Sequence, residues 1–210
     1  MKNSTEKFFS IEEQQRIEQA VQAAEKSTSG EIVPMLTPCA YDYPRAEIIG
    51  GGLFALASAT TLSWGFFGES LWVFLAAFVL LYLPCKWMIR FCPPLKRSLI
   101  TDQEITEEVA EKALISFYER ELHHTRDNTG ILILICLFEH RVQILADRGI
   151  NAVVPPHTWD AIVAELTGGI REGRACDALC LAIEKCGELL TKNFPVRDDD
   201  TDELPNLILE

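Results

Sequence analysis

Positive charge is scarce in this chain, and its cysteines lack the spacing of a metal site. Lys and Arg number 19 against 31 Asp and Glu, a net charge of −12. Nucleic-acid binding uses Lys and Arg to neutralise phosphates, so this balance argues against a nucleic-acid partner. The 7 Cys (Cys39, Cys85, Cys92, Cys136, Cys176, Cys180 and Cys186) include no Cys-x2-Cys pair and no Cys–His cluster of zinc-finger spacing. Their odd number and scatter argue against a disulfide framework and fit a reducing compartment. Cys136 stands inside an apolar run, where Cys acts as a small hydrophobe. Cys176 and Cys180, four apart, read as helix packing, with soft-metal binding the lesser alternative. Met1 to Glu13 hold no apolar stretch, so no signal peptide is expected. A glycine-rich, phosphate-cradling loop is also missing.

What the chain does have is two apolar runs back to back, Ile48 to Phe67 and Leu71 to Ile89, with Gly68-Glu69-Ser70 between them and Lys86 near the end of the second. About 18 apolar residues suffice to cross a bilayer as a helix, so residues 48–89 read as a transmembrane helical hairpin. The competing reading is a buried core hairpin, which runs of this length without an amphipathic face do not favour. The charges are segregated. Residues 1–47 carry 5 bases and 8 acids, residues 48–97 carry 4 and 1, and residues 98–210 carry 10 and 22. The basic excess therefore forms a collar, Arg45 before the hairpin and Lys86, Arg90, Lys96 and Arg97 around its end. Short basic flanks stay cytoplasmic, which places both flanks and both termini in the cytoplasm and the tight turn outside. Trp64, Trp72, Tyr82 and Trp87 lie near the run ends, as interfacial aromatics do. Gly50, Gly51, Gly52, Ala55, Ala57, Ser58 and Ala59 give the first run a small face for close helix approach.

The rest reads as one α/β domain in two pieces. Ser10 and Glu13 form a capping box, followed by Ile17, Ala20, Val21 and Ala24 at helical spacing. Glu31 to Leu36 is a strand. Thr101 or Asp102 opens a second helix with the stripe Ile105, Val109, Ala113, Leu114, Phe117 and Leu122, ending around His123-His124. Ile131 to Phe138 is an unbroken apolar strand, buried on both faces. After a turn at Glu139–Arg141, Val142, Ile144 and Ala146 alternate through a partner strand, and Asp147-Arg148-Gly149 ends it. Pro155-Pro156 starts a helix, and a last helix covers about Ile170 to Lys192. Helix, Thr28-Ser29-Gly30 and strand repeat as helix, Asn128-Thr129-Gly130 and strand. Each Gly is expected to supply a left-handed helix stop, and the two strands should be sheet neighbours. The domains are thus 1–47 and 98–195 as two halves, 48–89 as the hairpin, and 196–210 as an acidic tail. Asp198 to Glu203 is too charged to pack, while Leu204, Leu207, Ile208 and Leu209 either dock on a groove or partner or form a loose end.

Three clusters carry candidate chemistry. Asp147 stands at the carboxyl end of a strand, where sites in open α/β sheets tend to lie, and Arg148 next to it offers charge stabilisation. Against this, Asp is also a favoured turn residue. Glu31 opens the first strand and is placed toward the sheet's other end. His123-His124 suit a helix C-terminus as cations better than a shared metal, since adjacent helical residues diverge by about 100°. His157 has no evident partner.

Phe8-Phe9-Ser10, Thr28-Ser29-Gly30-Glu31-Ile32-Val33-Pro34, Thr129-Gly130-Ile131-Leu132-Ile133, Asp147-Arg148-Gly149-Ile150 before Trp159, Asn193-Phe194-Pro195 and Asp202-Glu203-Leu204-Pro205-Asn206 resemble the TPM domain family, in its bacterial membrane-hairpin branch. The resemblance covers about residues 8–195 together with that tail. It implies a sandwich with a small mixed sheet flanked by helices, interrupted here by the hairpin, in the bacterial inner membrane. It also implies one of two roles: an accessory or adaptor factor for a membrane protein or complex, or a weak acid phosphatase dependent on Ca2+ or Mg2+. The family's Gly-x-Gly-Leu-Glu stretch is replaced here by Asp147-Arg148-Gly149-Ile150-Asn151. Asp147 is left as the metal candidate and Arg148 as the substrate-binding one.

Overall fold

Why the first helix starts where it does is visible atom by atom. In the computed structural model, which describes residues 5, 7–66, 70–125, 128–155, 157–196 and 204–210, Ser10 Oγ accepts from the Glu13 N–H at 3.2 Å. The Glu13 carboxylate accepts from the Ser10 N–H at 2.8 Å. This capping box satisfies two of the otherwise orphaned amides of the first turn. Helix α1 follows over Ile11–Glu25 and buries Ile17 and Val21. The chain then enters β1, Glu31–Thr37.

The molecule divides into two units, Met1–Ala40 with Glu107–Glu210, and Tyr41–Thr106. In the first unit, β1 is joined by β2 (Gly130–Cys136), β3 (Arg141–Ala146) and β4 (Ile208–Leu209) in the order β3-β2-β1-β4. The β1–β2 and β1–β4 pairings are parallel and β2–β3 is antiparallel. The repeated αβ units thus do supply adjacent parallel strands, with the hairpin strand added outside. One sheet face carries Ile32, Leu36, Ile131, Ile133, Ile135, Val142, Ile144 and Ala146 into a core with α1, α7 (Thr158–Arg171) and α8 (Ala175–Asn193). Each fully buried aliphatic side chain contributes about 1.5–3 kcal/mol. β1 and β2 are buried along their whole length, while β3 alternates between buried and half-buried residues. That is the difference between a strand covered on both faces and one covered on a single face.

Several expectations are corrected. Gly30 and Gly130 are not left-handed, and Gly173 is the described glycine with positive φ. They are glycines because neighbours come close. A Cβ on Gly30 would lie 2.8 Å from Leu190 Cδ1, and one on Gly130 2.5 Å from the Leu122 carbonyl oxygen. The left-handed residue before β2 is Asn128 (φ +56°). Within α5, Asp102–Glu119, Val109, Ala113 and Phe117 are buried, but Leu114 is 49 % exposed; its place in the apolar stripe was one residue off the buried line. β2 stops at Cys136, because the Leu137 and Phe138 amides turn to the Thr37 and Pro38 carbonyls. The helix expected from Pro155 begins at Thr158, since left-handed His157 (φ +68°) precedes it. α7 keeps Ile170, and Gly173 at φ +77° separates it from α8. Asp147 starts a short helix, α6 (Arg148–Asn151), where a plain turn was expected.

The second unit holds α2 (Pro44–Phe66), α3 (Leu71–Phe91) and α4 (Pro93–Ser98). Two helices, Pro44–Gly65 and Leu71–Phe91, are long and apolar enough to cross a membrane. They pack as a hairpin; the expected turn residues Gly68 and Glu69 and the run end Phe67 lie outside the described residues. Beyond Ala46, Glu47 and Gly50 near its start, the buried positions of α2 are Gly51, Ala55, Ala59 and Ser63, four apart. This small-residue seam lets helix backbones approach closely, and a Cβ on Gly51 would stand 2.9 Å from Lys86 Cα. Ile48, Ile49, Leu53, Trp64, Trp72, Leu80, Trp87 and Phe91 are exposed.

Candidate functional site

The starts of β1 and β2 and the end of β3 meet at one end of the sheet, because β3 runs antiparallel to β2. Glu31 pairs with Gly130, and the Asp147 N–H donates to the Gly130 carbonyl at 2.9 Å. Glu31 and Asp147 therefore share a sheet end, where opposite ends were expected. Asp147 Oδ1 accepts from the Arg148 N–H at 2.6 Å and caps α6; its Oδ2 is buried with no hydrogen-bond partner. The Arg148 guanidinium donates to Asn128 Oδ1 at 3.1 Å. Asn151 Nδ2 donates to the Ala146 carbonyl at 2.6 Å, and the Trp159 indole N–H reaches Asn151 Oδ1 at 3.4 Å. The residues after β3 thus interlock with the turn before β2. Asp147 and Arg148 come together, and Arg148 is oriented by Asn128. Asp127, beside that turn, lies outside the described residues.

The repeated Thr residues close this end. Thr28 Oγ1 donates to the Phe194 carbonyl at 2.6 Å, and Thr129 Oγ1 to the Ser29 carbonyl at 3.0 Å. Glu25 Oε1 accepts the Ile32 N–H at 2.9 Å. The histidines stand elsewhere. His123 and His124 occupy a 3-10 turn with ring centroids 3.9 Å apart, and His157 Nδ1 meets Asp160 Oδ2 at 2.8 Å, a partner no spacing suggested. Among the described residues, no three His, Cys, Asp or Glu side chains converge to hold a metal ion. Cys176 is pushed up to about 11 by burial and by Cys180, and burial also raises Cys180. Thiols so shifted are poor thiolate ligands.

The collar residues differ among themselves. Lys96 Nζ lies 2.7 Å from Glu47 Oε1 and also donates to the Asp42 carbonyl at 2.5 Å. Its side chain is 12 % exposed and that of Glu47 10 %. Lys96 is thus committed to a shielded ion pair, which counting charges did not show. Arg97 lies 3.8 Å from Asp102, while Arg45 and Arg90 are exposed and Lys86 is half-buried.

Two carboxylates were missed by the sequence reading. Glu139, in the β2–β3 turn, is fully buried and takes the Ala40 N–H at 2.9 Å. Glu210 lies 2.8 Å from Lys112 and 3.1 Å from Arg120. The expectation that the chain lacks a Cys-x5-Arg spacing is also corrected: Cys39 and Arg45 stand in that pattern of thiol phosphatases. Such a loop holds phosphate on free backbone amides. Here the Ala40 amide is spent on the Glu139 carboxylate, and Pro44 has no amide to offer. Glu139 could have been suspected from its place between two apolar strands.

Residues 96–189, from before α5 into α8, match the family model of the TPM domain, which carries the family name TPM phosphatase. Over that stretch the chain is similar to the TPM domain. The matched stretch includes β2, β3 and the Asp147–Trp159 network, while β1 and α1 complete the same sheet and core from outside it. The fold recurs in the NMR structure of the BA42 protein from the psychrophilic bacterium Bizionia argentinensis. That structure superposes with a TM-score of 0.59 at 24 % identity, over 97 % of this chain and 95 % of the other. At that identity the likeness establishes the fold. No curated protein matches the chain.

Proposed function

We propose that this protein is a membrane-anchored adaptor, a TPM domain that acts with a membrane-protein partner. The carrying observation is the pair of helices Pro44–Gly65 and Leu71–Phe91, each long and apolar enough to span a bilayer, inserted inside the domain's chain. Their exposed Leu, Ile, Phe and Trp side chains would face lipid. The domain is then tied to the bilayer through both of its chain crossings, in a bacterial inner membrane with both flanks cytoplasmic. The exposed collar residues Arg45 and Arg90 support that orientation. Photocrosslinking in native membranes from residues of the TPM domain tests the reading. A specific membrane-protein adduct is expected; adducts to lipid alone would overturn it.

A second reading, a Ca2+- or Mg2+-dependent phosphatase, is favoured by the family name and by the buried, unpartnered Oδ2 of Asp147. Asp147 would supply a metal ligand and Arg148 would hold the phosphoryl oxygens. Ca2+ takes 6–8 oxygen ligands, and Asp147 offers one unspent oxygen, which ranks this reading second. Hydrolysis of a generic phosphomonoester with and without Ca2+ or Mg2+ decides it: turnover abolished in Asp147→Asn would install the enzyme in place of the pure adaptor.

A further inference from the structure

The outer edge of β1 is covered by a segment of the chain from far away in sequence. Ile208 and Leu209 pair in parallel with Met35 and Leu36, and the Glu210 N–H donates to the Leu36 carbonyl at 3.0 Å. Ile208 is buried, and Leu207 and Leu209 pack against the main core. The Glu210 carboxylate enters a ready receptor. Lys112 Nζ on α5 lies 2.8 Å away, Arg120 Nη2 just past α5 lies 3.1 Å away, and Thr37 Oγ1 at the end of β1 donates at 3.2 Å. Thr5 Oγ1 donates to the Glu210 carbonyl. An edge strand presents a row of backbone groups open to pairing. Here that row ends at two cations and a hydroxyl.

We propose that the β1 edge with Lys112, Arg120 and Thr37 is a strand-docking site, and that residues 207–210 are a displaceable strap occupying it in cis. The site takes an extended segment, parallel to β1, reading three apolar residues and then a carboxylate. The strap's own Leu207-Ile208-Leu209-Glu210 shows what fits. Strand addition of this kind draws affinity from main-chain hydrogen bonds and selectivity from side-chain pockets, and charge-assisted bonds to the carboxylate set the register. The ladder holds only two residue pairs, so the strap belongs to the low-stability end of the fold. The acidic stretch before it, with Asp198, Asp199, Asp200, Asp202 and Glu203, lies outside the described residues. A ligand carried on the same chain is held at roughly millimolar effective concentration for its site. A partner strand must outcompete that, so the strap sets a threshold for engagement.

The partner's identity as a membrane protein rests on the adaptor reading, but the strap exchange does not. It is measured with the full chain in detergent and a fluorescein-labelled peptide, Leu-Pro-Asn-Leu-Ile-Leu-Glu, copied from residues 204–210. Ile208→Asp, which ejects the strap, is expected to bind the peptide about tenfold or more tighter than the unaltered chain, because the tethered competitor is lost. Lys112→Ala with Arg120→Ala should abolish that gain, and so should a peptide ending in Gln. Equal binding to both chains, or binding to Ile208→Asp indifferent to the two cations, overturns the proposal. If Ile208→Asp does not fold, a chain with a protease site placed within 197–203 decides: after cleavage, excess peptide should displace the strap, read by native mass spectrometry. Retention of the cut strap under excess peptide also overturns it. A positive exchange with no crosslinked membrane partner would sink the adaptor reading and leave the docking site standing.

Discussion

Glycine shows how single positions carry the fold without local conformational reasons. Gly130 has no room for a Cβ because a backbone oxygen, that of Leu122, lies 2.5 Å from where it would sit. Gly30 faces the tip of Leu190, a side chain that can turn aside. Gly130→Ala is therefore expected to cost about 1–3 kcal/mol and Gly30→Ala distinctly less, measured by denaturant unfolding. The repeat of Thr-Gly before each strand was legible in the sequence; that the glycines answer to packing was not, because the contacts come from Leu122 and Leu190. The cysteines make a second test. Cys176 is held at about 11 by burial and Cys180, and the thiolate is the reactive form. Its alkylation by iodoacetamide at pH 8 should be far slower than in the unfolded chain and should rise steeply as pH approaches 11, read by peptide mass mapping. Equal rates folded and unfolded would contradict the burial.

Among helices and strands, the hairpin and the strap depend on opposite designs. The α2 seam of Gly51, Ala55, Ala59 and Ser63 works through smallness. Ala59→Leu should force α2 and α3 apart at a cost of about 1–3 kcal/mol, whereas the exposed Leu62→Ala should cost little; detergent-titrated tryptophan fluorescence separates the two. The strap works through charge. Burial raises the Glu210 carboxyl, but the bonds and charge of Lys112, with Arg120 and Thr37, outweigh it and hold the pKa below its ordinary 4.5. A depressed carboxyl stabilises the docked form above the undocked pKa and loses that contribution as pH falls through the docked one. Buried Cys136, which also faces Glu210, stays neutral there, its pKa raised by burial. Docking should thus be constant from neutrality down to about pH 4.5 and weaken below it. Amide exchange at Ile208 and Leu209 reads this, and Glu210→Gln should flatten the profile.

For the molecule as a unit in its setting, the insertion of an apolar helical pair within a domain's chain is the dominant fact. The domain's sheet takes β1 from before the insertion and β2, β3 and β4 from after it, so its core closes only when both pieces exist. The orientation is tested with Ser70→Cys in a chain whose other cysteines are replaced. A membrane-impermeant maleimide should label it from outside intact spheroplasts, and labelling only after lysis would reverse the topology.

Composition, the two apolar runs, the capping box and the αβ repeat carried the fold class and the existence of most elements in the sequence, because these are local: periodicity, caps and hydropathy need no distant partner. The pairing of β1 with β2 followed from the repeat. What waited for the three-dimensional arrangement was everything made by residues far apart in the chain. Asp147 and Glu31 share a sheet end only because β3 runs antiparallel. Lys96 leaves the collar for Glu47, 49 positions away. Residues 207–210, whose sequence reads equally as a loose end or a docked one, find their place because Lys112, Arg120 and the open edge of β1 happen to meet. Long-range pairing of charges and strand edges is invisible to local patterns, and in this protein that is where the candidate chemistry and the docking site lie.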